Sequence, residues 1–81
     1  MKVQVRLFAA LREVTGMAQV VQELPAGAGV QDLMDALAKQ YPALRPQLGA
    51  VRAAINRRYA SLQAELRDGD EIALVPPVGG G

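Results

Sequence analysis

Hydrophobic and polar residues alternate from the start of the chain. Val3, Val5 and Leu7 fall on one side of an extended backbone, with Lys2, Gln4, Arg6 and Phe8 on the other, which predicts a strand over residues 2–8. Ala9 to Thr15 reads as a short helical turn, and Gly16 suits a left-handed C-terminal cap. A second strand is expected over residues 19–24, closed by Pro25, and Ala26-Gly27-Ala28-Gly29 reads as a flexible link. The period then changes. Val30, Leu33, Met34, Leu37 and Tyr41 recur at helical spacing and form one apolar stripe. Asp32 and Asp35 lie near the positive end of that helix, and Pro42 stops it. Residues 43–50, with Pro46 and Gly49, read as an irregular connection.

Alternation returns over residues 51–55. A tight turn at Asn56-Arg57 leads into a short strand around Tyr59, since Asn tolerates positive φ. Residues 62–66 read as a loop or partial turn, Asp68-Gly69-Asp70 as a turn, and Glu71 to Val75 as the last strand. One amphipathic helix covers one face of one sheet, so the order predicts an α+β domain of two layers. The first and last strands are expected as the central pair. This is a β-grasp arrangement, a mixed sheet of about five strands with one main helix packed on one face. The domain is expected over residues 1–75, followed by an extended tail over residues 76–81.

Composition narrows the chemistry. The chain has 81 residues, enough for one small core and no second. His and Cys are absent, which removes imidazole bases, thiol nucleophiles, disulfides and His/Cys zinc sites together. Lys and Arg number 9 against 8 Asp and Glu, so the basic excess expected of a nucleic-acid binder is missing. No apolar run approaches a membrane span and no secretory h-region precedes the first strand. The expectation is a soluble cytoplasmic protein, without conventional catalysis of its own and with no nucleic-acid or membrane partner. Asp68, Asp70 and Glu71 lack the spacing of a calcium loop and are expected as a turn with flanking charges, with no metal bound.

The end of the sequence stands apart. Pro76 and Pro77 stiffen the exit from the last strand, and Val78 then leads into Gly79, Gly80 and Gly81. Extended, residues 76–81 span about 20 Å. Such a tail is either a frayed terminus or a thin probe that carries a carboxylate into a narrow channel on another protein.

Three stretches together carry a resemblance: Phe8-Ala9-Ala10-Leu11-Arg12-Glu13, Asp68-Gly69-Asp70-Glu71, and Pro76-Pro77-Val78 leading to Gly80-Gly81. The chain resembles the ubiquitin-like sulfur carriers that form the small subunit of molybdopterin synthase. Gly79 departs from that pattern, where Ser or Thr is frequent. The resemblance implies that a ubiquitin-activating-like adenylyltransferase uses ATP to adenylate Gly81, with no cofactor bound to the carrier itself. A persulfide donor then supplies sulfur, leaving a C-terminal thiocarboxylate. It further implies insertion of Pro76, Pro77, Val78, Gly79 and Gly80 into the large catalytic subunit, within a heterotetramer of two small and two large subunits. Sulfur passes there to cyclic pyranopterin monophosphate. Related carriers for thiamine synthesis or tRNA thiolation, a protein-conjugating modifier, and a β-grasp interaction module with an incidental tail are the alternatives.

A docking surface is expected independently. Phe8 and Val75 share the sheet face left open by the helix if their strands are neighbours, and the resemblance implies that Tyr59, on the adjacent hairpin, extends the same patch. Edge-core packing of Phe8 and partial burial of Tyr59 are the competing readings. Arg12 is a candidate for an acidic groove on the partner, against plain solvation. Arg57 and Arg58 read as solubility residues of the hairpin.

Overall fold

The computed structural model describes residues 1–77. Nine elements follow in order: β1 (Lys2–Leu7), α1 (Ala9–Thr15), β2 (Gln19–Glu23), α2 (Val30–Gln40), a 3₁₀ turn (Pro42–Leu44), α3 (Arg45–Leu48), β3 (Arg52–Ile55), β4 (Arg58–Ala60) and β5 (Glu71–Val75). The five strands form one mixed sheet in the order β2-β1-β5-β3-β4. β1 and β5 are parallel neighbours, with Leu7 opposite Leu74, and the other three pairings are antiparallel. The expected β-grasp arrangement is present, with the last strand at its centre.

Strand alternation builds the core. Val3, Val5 and Leu7 of β1 and Ile72 and Leu74 of β5 turn to one face of the sheet. Val30, Leu33, Met34 and Leu37 of α2 close over that face, and all are buried. The α2 N-terminus is fastened by Asp32, whose Oδ2 accepts the Gly29 N–H at 2.8 Å. At its other end the Gln22 amide, buried on β2, donates to Gln40 Oε1 at 2.8 Å. α1 contributes the buried Leu11 and ends at Gly16, which has φ 73° and donates to the Arg12 carbonyl.

Several boundaries differ from the sequence reading, β3 beginning at Arg52 rather than Val51 and α2 ending at Gln40, one residue before Tyr41. β1 stops at Leu7, because Phe8 already serves as the extended residue at the N-terminus of α1. Likewise β2 stops at Glu23, although the Leu24 N–H still donates to the Met1 carbonyl. Residues 26–29 are no flexible link: Ala28 is buried, and Gly29 bridges to Glu65. Residues 42–48 are helical rather than irregular, and they bury Leu44 completely. Pro42 and Pro46 each sit in the first turn of a helix, where a missing N–H costs nothing.

The Asp68–Glu71 turn is a structural hub. Asp68 Oδ1 accepts the Lys2 N–H at 2.7 Å, and the Gly69 N–H donates to the Lys2 carbonyl at 2.8 Å. Asp70 accepts from the Arg67 N–H and from Asn56 Nδ2, at 2.8 and 2.9 Å. Asn56 Oδ1 in turn accepts the Glu71 N–H at 3.0 Å. The turn thereby ties β1, β5 and the β3–β4 hairpin at one end of the sheet. Among the described residues no group of three or more Asp, Glu, His or Cys side chains is arranged to hold a metal.

Candidate functional site

The sheet face opposite α2 is uncovered, and its composition changes across the strands. On β1 and β2 it is polar: Gln19 Nε2 donates to Gln4 Oε1 at 2.8 Å, and Arg6 meets Glu71 of β5 at 3.8 Å. Val21 stands there at 60% exposure, opposite Gln4. Toward β3 and β4 the face becomes apolar. Ala73 pairs with Ala54, and Ala54 pairs in turn with Tyr59. Val75 is opposite Arg52 on the same face. Tyr59 is 63% exposed, and the Arg52 guanidinium carbon lies 4.4 Å from the centroid of its ring.

Phe8 belongs to the same end of the sheet. It follows Leu7, the partner of Leu74, and Val75 follows Leu74 on a parallel neighbour. Phe8 keeps an extended backbone and is 41% exposed, so it lies outside the buried core. The edge-core reading of Phe8 is therefore set aside, as is partial burial of Tyr59. Arg12 sits on α1, exposed beside the buried Leu11, and its guanidinium has no hydrogen bond or ion pair among the described residues.

Pro76 is half-buried and Pro77 exposed at the exit of β5. An open groove of about 380 Å³ flanks them, lined by Ala9, Ala10, Gln47, Ala50, Pro76 and Pro77. Small side chains keep this groove shallow and apolar at the base of the tail. Ala9 adopts φ 50°, a left-handed conformation that costs an L-residue roughly 1–2 kcal/mol. That strain turns the chain from β1 into α1 immediately after Phe8. The sequence reading misses both the groove and the strain, and it misses Arg52, whose place beside Tyr59 follows only from strand register. Val78, Gly79, Gly80 and Gly81, expected to carry tail insertion and the reactive carboxylate, lie outside the described residues.

The face thus joins an apolar patch, Phe8, Val75 and Tyr59, to the stacked cation of Arg52. The ThiS family model matches residues 5–81. The chain is similar to the molybdopterin synthase sulfur carrier subunit of Mycobacterium tuberculosis, with 41% identity over 83 residues, covering 99% of this chain and 98% of that protein. Among solved structures, SAMP1 of Haloferax volcanii superposes with a TM-score of 0.91 at 34% identity, covering both chains completely. A chain from the complex of subunits 1 and 2 of the molybdopterin-converting factor of Helicobacter pylori superposes with a TM-score of 0.70 at 29% identity, again covering both chains completely. No helix among the described residues is long and apolar enough to cross a membrane.

Proposed function

The chain belongs to the ThiS family, and on that premise we propose that it is the sulfur carrier subunit of a molybdopterin synthase in the cytoplasm. The observation that carries this reading is a family match that runs through the whole tail to Gly81. The carboxylate of Gly81 attacks the α-phosphorus of ATP on an activating enzyme, releasing pyrophosphate and leaving an acyl adenylate. The terminal sulfur of a persulfide displaces AMP. A thiol then cleaves the S–S bond, freeing the carrier as a thiocarboxylate. Its sulfur is a softer nucleophile than carboxylate oxygen, and in the large subunit it forms a C–S bond to a carbon of cyclic pyranopterin monophosphate as the C–O bond at that carbon breaks and the oxygen leaves. Hydrolysis of the resulting acyl link restores the carboxylate.

The carrier contributes position rather than acid–base chemistry. β5 is a central strand, so the tail leaves a rigid base, and the Phe8–Val75–Tyr59 face flanks that exit. A partner that covers this face receives the tail at a fixed point, and Val78, Gly79 and Gly80 add little bulk to obstruct a narrow channel. Two such carriers and two large subunits form the working assembly.

Deleting Gly81 tests the reading, because it withdraws the carboxylate by about 3.5 Å while leaving the folded body intact. The expected result is loss of pterin conversion, with thermal unfolding unchanged. Intact mass after incubation with ATP, activating enzyme and sulfur donor reads the replacement of one oxygen by one sulfur in the unaltered chain. Full conversion by the deletion variant rejects the proposal. Likeness to the small archaeal modifier protein 1 (SAMP1) of Haloferax volcanii favours one second reading, conjugation through Gly81 to lysines of other proteins. Isopeptide adducts in place of a thiocarboxylate identify it.

A further inference from the structure

We propose that Arg52 is a charged anchor at the centre of the docking face, and that the protein surface covering Val75 and Tyr59 presents a carboxylate to its guanidinium. The inference rests on the docking reading above and deepens it by stating the chemistry of the partner surface.

Register places Arg52 where docking must bury it. It is the Cα partner of Val75 across β3 and β5, and its guanidinium stacks over Tyr59 of β4 at 4.4 Å. A surface that covers Val75 on one side and Tyr59 on the other strips water from the cation between them. Burying an unpaired charge is costly, whereas a bidentate carboxylate compensates the lost hydration. Stacking also prepares the group, because it fixes the plane of the guanidinium and leaves its edge N–H donors for a partner.

The described residues supply no such carboxylate. Arg52 makes no ion pair within 4.0 Å among the described residues, and the ion pair present there joins Arg6 to Glu71. From Ala36 to Ala64 the sequence holds Lys39, Arg45, Arg52, Arg57 and Arg58 and no acid at all. The stretch of chain that carries Arg52 and Tyr59 is therefore uniformly basic, although the formal net charge is only +1. A nucleic acid is the less fitting occupant of this face. Glu71 and Glu23 share it, and Ala54, Ala73 and Val75 offer nothing to a phosphate. An acidic protein surface with an apolar neighbourhood fits both halves.

The test measures affinity of the full chain for the large synthase subunit of the same organism, at low and at high salt. Arg52→Gln, Arg52→Lys and Phe8→Asp are compared with the unaltered chain, each checked for native melting. Arg52→Gln is expected to weaken binding about tenfold or more and to flatten its salt dependence. Arg52→Lys is expected to fall between, because an ammonium keeps the charge but not the fork. Phe8→Asp is expected to weaken binding at every salt concentration. Native affinity and salt dependence in Arg52→Gln, with Phe8→Asp impaired, overturns the anchor and leaves the docking face standing. Native affinity in Phe8→Asp overturns the docking face itself, and the anchor with it. Arg52-dependent binding of a single-stranded RNA oligonucleotide, with no effect on the large subunit, overturns the choice of a protein partner.

Discussion

Gly29 and Gly49 make opposite predictions for the same substitution. Gly29 has an ordinary extended backbone, φ −112° and ψ −174°, so alanine meets no conformational barrier there. Its obstacle is contact: an added Cβ would stand 2.8 Å from the Ala64 carbonyl oxygen. That oxygen is held in place, since it accepts the Val30 N–H at 2.9 Å while the Leu66 N–H donates to the Ala28 carbonyl at 2.9 Å. Relief therefore requires opening the bridge that seats the buried Leu66 beneath the start of α2. Overpacking of this kind costs about 1–3 kcal/mol, against about 0.4–1 kcal/mol gained from a stiffer unfolded chain. The net expectation for Gly29→Ala is destabilisation by about 1–2 kcal/mol, a fall in Tm of roughly 4–16 °C for a domain of this size. Gly49 has φ −65° and ψ −19°, and nothing lies within 4 Å of its added Cβ. Only the entropic gain remains, so Gly49→Ala should stabilise by about 0.4–1 kcal/mol. Thermal and urea unfolding by circular dichroism measure both. A rise in stability for Gly29→Ala, or matching shifts in the two variants, would refute the assignment of the Gly29–Glu65 bridge as rigid.

Leu37 is fully buried under the sheet, and Leu37→Ala should cost about 2–5 kcal/mol, read as a lower urea midpoint at unchanged slope. Asp70→Ala removes the acceptor for the Arg67 N–H and for Asn56 Nδ2, so about 1–3 kcal/mol should be lost. Amide exchange at Glu71 should quicken in that variant, because Asn56 no longer holds its side chain against that N–H. Tyr59→Ala should change stability by no more than about 0.5 kcal/mol, given its exposure, while weakening capture by the large subunit in a pull-down.

Periodicity in the sequence makes most of the fold legible. The α2 stripe and the alternation of β1 and β5 depend on spacing alone, and each is observed with the expected residues buried, except Tyr41, which is the C-cap of α2 and only partly buried. Punctuation is the weaker signal. Pro42 and Pro46 read as breaks, yet proline is harmless in the first turn of a helix, and so the helical turns that bury Leu44 resemble irregular chain. Ala26 to Gly29 read as loose because small residues are common in links. Here small residues permit close packing against residues 64–66, a long-range contact that no local pattern encodes. The docking face is half legible. Alternation places Val75 opposite Ile72 and Leu74, and it carries Phe8 to the same face one residue beyond β1. Stacking of Arg52 on Tyr59 needs the register of β3 with β4, which the hairpin residues alone do not specify.

The parallel pairing of β1 with β5 gives the domain a mechanical property. β1 begins at Lys2 at one end of the sheet, and β5 ends at Val75 at the other. A pull applied between the two ends of the chain runs along both strands in opposite directions. Their hydrogen bonds are then loaded together in shear instead of opening one after another. β5 is bonded to β3 on its other side, so a tug on the tail is shared across two ladders. Pulled from beyond Val75, the body therefore behaves as a clamp rather than a zip.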